Sequence, residues 1–164
     1  MQKKCLEPWI DDKTRILIVG TMPGEQSLQE HMYYANPRNR FWTYIQEILN
    51  NGIELKSKDD KQKLLQSNGI GLWDSLSKCE RSGSLDSNIG NEQPNDFSKF
   101  QSVKYILCNG KKAYKYFTEY NAQYLKDKNR KCFELPSTSP ANASISEAKK
   151  FKEWKEKLLM ALES

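Results

Sequence analysis

A chain of 164 residues is the length of one domain, long enough to bury a core and line one cleft but short for two units. Its 26 basic and 21 acidic residues leave a net charge of +5, a balance that favours polyanions without proving a partner. Cys5, Cys79, Cys108 and Cys132 form no C-x-x-C pair and His31 is the single histidine, which argues against zinc and iron–sulfur chemistry. No charged-then-apolar leader opens the chain and no apolar run nears the ~20 residues of a spanning helix, so a cytoplasmic protein with no membrane partner is expected.

Arg15–Gly20 (RILIVG) is β-branched and nearly continuous, as a strand buried on both faces is. Phe41–Leu49 places Phe41, Ile45, Ile48 and Leu49 on one helical face, and Asp59–Gln66 is a shorter helical stretch. Gly71–Leu76 (GLWDSL) and Val103–Cys108 (VKYILC) read as strands, Lys111–Tyr120 as a helix, and Lys131–Leu135 (KCFEL) as the last strand. Ser144 and Glu147 have the spacing of a capping box, beyond which Ala148, Phe151, Trp154, Leu158 and Leu162 recur at helical intervals. This alternation predicts an α/β fold: a short four-stranded parallel sheet covered on both faces, with ligands bound beyond the carboxyl ends of its strands.

Three loops leave those ends. The first, Gly20–Trp42 (GTMPGEQSLQEHMYYANPRNRFW), far exceeds the roughly 2–6 residues usual for such connections. Gly20, Pro23 and Gly24 constrain its path, Tyr33 and Tyr34 offer flat rings, and Asn39 ends it. A flipped base needs this chemistry, a platform for its face and hydrogen bonds for its edge. The same residues also suit plainer roles: Asn39 as a helix cap, the two tyrosines as loop core, and His31 as a surface or packing residue. The last loop, Leu135–Ala143 (LPSTSPANA), sets hydroxyls and backbone N–H groups on a stiff turn, suited to phosphate oxygens or simply to entering a helix. Lys111 and Lys112 follow Asn109–Gly110 at a helix start, where they track phosphates or stay solvated. Asp74 either shapes the pocket or serves the turn, and Arg81 is a further candidate DNA contact.

NPRNRFW (Asn36–Trp42) resembles the H-P-x-N-x-F-W segment of the mismatch-specific uracil glycosylases. GTMPG resembles their G-x-N-P-G motif, and NGKKAY (Asn109–Tyr114) their G-K-x-A-Y turn. The fuller set, with YYANPRNRFW, GLWDSL, CERSGSLDSNI and LPSTSPANA, is similar to the hypoxanthine-DNA glycosylase branch of the uracil-DNA glycosylase superfamily, from about Ile16 to Ala143. The resemblance implies an α/β/α sandwich and no cofactor. It implies that Asn39 is catalytic, that Tyr34 stacks on the flipped base, and that Ser137 binds a phosphate flanking the lesion. Thr138 to Asn142, including Ser139, would enter the minor groove. Met22, Pro23, Gly24, Phe41 and Asn109 complete the expected base pocket, with Lys111 and Lys112 on the DNA. Uracil-directed relatives carry Asp or Asn where Met22 stands, and His or Asn where Leu135 stands. The branch usually carries histidine at Asn36.

These features predict a monomeric, monofunctional enzyme that removes a deaminated base, hypoxanthine first, from double-stranded DNA and leaves an abasic site. Asn39 cannot be a strong base, so it is expected to orient water through its side-chain oxygen while its NH₂ anchors backbone. A uracil or mismatch glycosylase and a non-cutting lesion-binding module are the alternatives.

Overall fold

The structure is a computed structural model that describes residues 3–4, 6–80, 90–140 and 144–164, with backbone only at 3–4, 78–80 and 90–92. Strands β1 (Lys3–Lys4) and β2 (Ile16–Gly20) precede helices α1 (Glu25–Glu30), α2 (Phe41–Leu49) and α3 (Lys58–Ser67). Strands β3 (Ile70–Asp74), β4 (Leu76–Glu80), β5 (Gly90–Pro94) and β6 (Tyr105–Asn109) follow, then α4 (Lys111–Tyr120), α5 (Ala122–Lys126), β7 (Lys131–Leu135) and α6 (Glu147–Leu162).

The main sheet has the order β3-β2-β6-β7 and every pairing in it is parallel. β2 lies between two neighbours and all five of its residues are buried, which its apolar sequence requires. Ile16 and Ile18 pack on one face with Phe41 and Ile45 of α2 and Trp154 and Leu158 of α6. Leu17 and Val19 pack on the other with Ala113 and Phe117 of α4. Alternate residues of one strand thus supply two cores, and the result is the expected α/β/α sandwich.

The expected strand Gly71–Leu76 is in fact two. β3 ends at Asp74, and Leu76 begins a strand of a second sheet, antiparallel, in the order β1-β4-β5. The break at Ser75 has a physical cause. Ser75 and Leu76 donate their N–H groups to the Gly20 and Thr21 carbonyls at 2.7 and 3.1 Å, and the Ser75 hydroxyl donates to the Ala113 carbonyl. The chain is thereby bent over the exit of the central strand. The expected capping box is also corrected: Ser146, not Ser144, caps α6, its hydroxyl accepting the Lys149 N–H at 3.3 Å. Strand Val103–Cys108 is shifted to Tyr105–Asn109, which makes Asn109 the last residue of the strand. The long first loop contains α1, which ends at the exposed His31 in left-handed conformation.

Candidate active site

The loops after β2, β6 and β7 meet at the carboxyl edge of the main sheet. Gly110 holds two of them together: its φ is +101°, and a Cβ there would lie 3.2 Å from the Ser137 Cβ. The Arg40 N–H donates to the Thr138 carbonyl at 3.1 Å, joining the first loop to the last. The Gly110 N–H donates to the Leu135 carbonyl at 2.9 Å.

A fixed turn delivers Asn39. The Asn36 side-chain oxygen accepts the Arg38 N–H at 2.9 Å, and the Asn36 carbonyl accepts the Asn39 N–H at 2.9 Å. Pro37, between them, restricts the backbone further. Asn39 is half-buried, and its Oδ1 accepts the Phe41 N–H at 3.0 Å. Helix capping is therefore part of its work, and it reverses the expected division of the amide. The oxygen anchors backbone, while the NH₂ has no hydrogen-bond partner among the described residues. A carbonyl oxygen has two lone pairs, so this bond leaves one acceptor position beside the uncommitted donor.

Tyr33 and Tyr34 diverge. Tyr33 is buried at 3% exposure, its hydroxyl donating to the Glu7 carbonyl, and it packs edge-on against Trp9. Tyr34 has φ +54°, an uncommon conformation for a bulky residue and one that costs about 1–3 kcal/mol. Its ring lies 4.2 Å from the Phe41 ring. Phe41 is fully buried, so it backs Tyr34 and offers no face of its own. Burial, reinforced by the Asp74 charge and opposed by a hydrogen bond with Asn109, pushes the Tyr34 phenol well above its ordinary range. The Tyr34 phenol is thus neutral at every working pH.

Asp74 belongs to this site more firmly than its place in GLWDSL suggests. It is 4% exposed at the end of β3. A Cβ on Gly20 would stand 2.8 Å from Asp74 Oδ1 and 3.2 Å from the Tyr34 hydroxyl. Only glycine permits that approach. Asn95, which the sequence did not single out, donates its Nδ2 to the Asp74 carbonyl at 2.7 Å and its backbone N–H to Ser75.

In the last loop, Thr138 and Asn109 form an internal strut. Asn109 Nδ2 donates to Thr138 Oγ1 at 2.9 Å, and the Thr138 N–H donates to Asn109 Oδ1 at 3.0 Å. Thr138, expected at the DNA, is 1% exposed, with its hydroxyl and its N–H both bonded to Asn109. Asn109, expected at the base, holds this loop with its amide and also hydrogen-bonds the Tyr34 phenol. Ser137 and Ser139 remain half-buried, the Ser139 N–H bonded to Ser137 Oγ at 3.1 Å. Trp154 of α6 donates to the Pro136 carbonyl at 2.8 Å and fixes the loop from behind. Asn142 and Arg81 lie outside the described residues.

Lys111 and Lys112 are exposed in the first turn of α4, which has no acidic residue there and no side-chain cap. Cations at the positive end of a helix are unfavourable, so the dipole of α4 does not account for these two lysines. Met22 and Pro23 are buried, and Gly24 precedes α1. Leu135 is buried at 3% exposure. Among the described residues no group of His, Cys, Asp or Glu could hold a metal ion, and no helix is long and apolar enough to cross a membrane.

The sequence pattern of the uracil DNA glycosylase superfamily matches residues 7–163. A hypoxanthine DNA glycosylase of Methanosarcina acetivorans is 34% identical over 158 residues, covering 94% of this chain and 96% of that protein. One from Methanosarcina barkeri is 36% identical over 120 residues, covering 71% of this chain and 76% of its own. The solution NMR structure of a Methanosarcina acetivorans protein described as a uracil DNA glycosylase superposes with a TM-score of 0.81 at 34% identity, covering 100% of each chain. The chain accordingly belongs to the uracil-DNA glycosylase superfamily and is a DNA glycosylase.

Proposed function

We propose that the enzyme flips a deaminated base out of double-stranded DNA and hydrolyses its N-glycosidic bond, with hypoxanthine in deoxyinosine as the principal substrate. The observation that carries this reading is Asn39, a neutral amide held on a fixed turn and bonded to the N–H of Phe41, the ring against which Tyr34 packs. Cleavage develops oxocarbenium character on the sugar and negative charge on the departing base. A strong general base is not required if water is held in line, and orientation alone supplies several kcal/mol of barrier reduction. The Asn39 amide places that water, and its unprotonatable form keeps this function constant with pH. Tyr34 stacks on the extruded base. Asp74 gives the pocket floor an acceptor for a ring N–H, which hypoxanthine, xanthine and uracil carry where adenine and cytosine have a bare ring nitrogen. Ser137, Ser139, Lys111 and Lys112 take the flanking phosphates. The reading carries with it a monomeric, cytoplasmic enzyme that leaves an abasic site.

Two named relatives act on hypoxanthine, and the apolar Met22 and Leu135 agree with that preference. The structural neighbour described as a uracil DNA glycosylase supports a second reading, in which uracil is the substrate. Incubation with duplexes bearing hypoxanthine, xanthine or uracil, followed by alkaline cleavage, separates them. Strand breaks at hypoxanthine are expected to dominate. Breaks at uracil alone would replace the first reading by the second, and tight lesion binding without breaks would remove both.

A further inference from the structure

Where α2 meets α6, one carboxylate collects three partners. Glu147, the first residue of α6, accepts the Tyr44 O–H on Oε2 at 2.6 Å, with Arg40 Nε 3.7 Å from the same oxygen. Its Oε1 lies 3.4 Å from Lys150 Nζ. Tyr44 and Lys150 are buried, at 3% and 2% exposure, whereas Glu147 and Arg40 are about half exposed. Burial first, and the Glu147 carboxylate second, push the Tyr44 phenol far above its ordinary range, so it remains a donor. An apolar contact would join two helices at least as stably as this polar cluster, because desolvating a lysine and a phenol is costly. What polar groups supply instead is fixed geometry.

The geometry being fixed is that of the site. Arg40 follows Asn39 directly, and the Arg40 N–H is bonded to the Thr138 carbonyl. Tyr44 lies one turn further along α2, its ring 5.4 Å from Phe151 of α6. Glu147 thus grips the start of α2 where the Arg40 N–H also ties it to the last loop. Its place at the positive end of α6, beside the Ser146 cap, holds the carboxylate in turn. We propose that Glu147 is a positioning residue for base excision: by joining Arg40, just ahead of α2, and Tyr44 of α2 to Lys150 of α6, it holds Asn39 in register with residues 136–139. The inference rests on the reading of Asn39 given above. A displacement of about 1 Å at a reacting group lowers a rate by about 100-fold, so a small slackening here is visible in the chemical step.

The test uses the full chain with Glu147→Ala, Glu147→Gln and Tyr44→Phe. Single-turnover excision is measured at saturating enzyme on a hypoxanthine duplex, and affinity is measured separately on a duplex carrying a tetrahydrofuran abasic analogue. Glu147→Ala is expected to slow excision at saturation by about 30- to 100-fold while affinity changes by less than about threefold. Glu147→Gln still accepts the tyrosine hydroxyl and should recover part of the loss. Tyr44→Phe, nearly isosteric, should lose about three- to tenfold and keeps the test alive if the alanine variant does not fold. Parental rates in all folded variants would overturn the proposal. So would weakened affinity with a normal rate at saturation, which would make the cluster a DNA-contact surface. Hydrogen exchange of the Arg40 amide separates this from failure of the functional reading. Should the parent excise no base, exchange in Glu147→Gln at least about tenfold faster than parent would sustain the positional claim, and unchanged exchange would end it.

Discussion

At the amino edge of the main sheet Arg130 is buried, its guanidinium donating to the carbonyls of Gln101, Val103, Tyr124 and Asp127 and lying 3.8 Å over the Tyr124 ring. At the carboxyl edge the polar groups are arranged otherwise. Tyr34 stands in a left-handed conformation, Asp74 leaves room only for a glycine, and two lysines sit at the unfavourable end of a helix. The Asn39 NH₂ is uncommitted among the described residues. Arg130 closes a loop with bonds that end inside the protein. The other edge accepts local strain and keeps donors in reserve, which is the mark of a surface shaped for something outside the chain.

Two alanine substitutions give the largest contrast. Asn39→Ala should lower hypoxanthine excision by about 1000-fold or more, as removal of a transition-state contact does, while stability falls by only about 0.5–2 kcal/mol from the lost cap. Arg130→Ala should do the reverse, costing roughly 3 kcal/mol because the buried Val103 and Tyr124 carbonyls lose their donor. Its excision rate per folded molecule should stay within about threefold of the parent. Denaturant titration and single-turnover kinetics on the same preparations check both. An Arg130→Ala enzyme that is stable but slow would break the division between the edges.

Gly20→Ala sharpens the comparison at intermediate scale. The added methyl meets a carboxylate oxygen at 2.8 Å and a phenol oxygen at 3.2 Å, so Asp74, Tyr34 or both must shift. Overpacking of this kind costs about 1–3 kcal/mol. Excision should fall by about 10- to 100-fold, mainly in the rate at saturation, as the proposed roles of Asp74 and Tyr34 toward the base require. Loss of stability with an unchanged rate would show that the Asp74–Tyr34 pair is packing alone.

How much of this was legible follows from the range of the interactions. β2 declares itself because burial on two faces demands an unbroken apolar run, and α6 because its apolar stripe is long. The second sheet does not, since its strands LSKCE and GNEQP show no clear alternation. The α6 cap misleads by two residues: Ser144 has the right spacing to Glu147, but the chain turns into the helix at Ser146. Asn39 and Tyr34 stand out through their motif. Thr138 does not reveal its burial, because a hydroxyl in a proline-framed loop resembles a surface donor and its partner Asn109 is distant in sequence. The Tyr44–Glu147 bond spans 103 residues, beyond any local pattern.

The smallest effect is the one that tests Glu147 most cleanly. The Tyr44 hydrogen bond first, then the charges of Lys150 and Arg40, hold the Glu147 carboxyl below its ordinary value of 4.5. A depressed acid favours the folded state at pH values above its unfolded pKa, and that contribution is lost as pH falls through the folded pKa. Parent and Glu147→Gln should therefore differ in stability at about pH 6 and converge toward about pH 3. Asp11 and Asp96 are also held low, but they are common to both proteins and drop out of the difference. The carboxylate is 54% exposed, so solvent screening keeps the difference below about 1 kcal/mol. So small a contribution cannot explain a tenfold slower excision at neutral pH. A rate loss far larger than the matching stability loss is what positioning produces. If the two shrink together as pH falls, with the slow variant also the unstable one throughout, Glu147 is a structural residue and the carboxyl edge owes its geometry to packing.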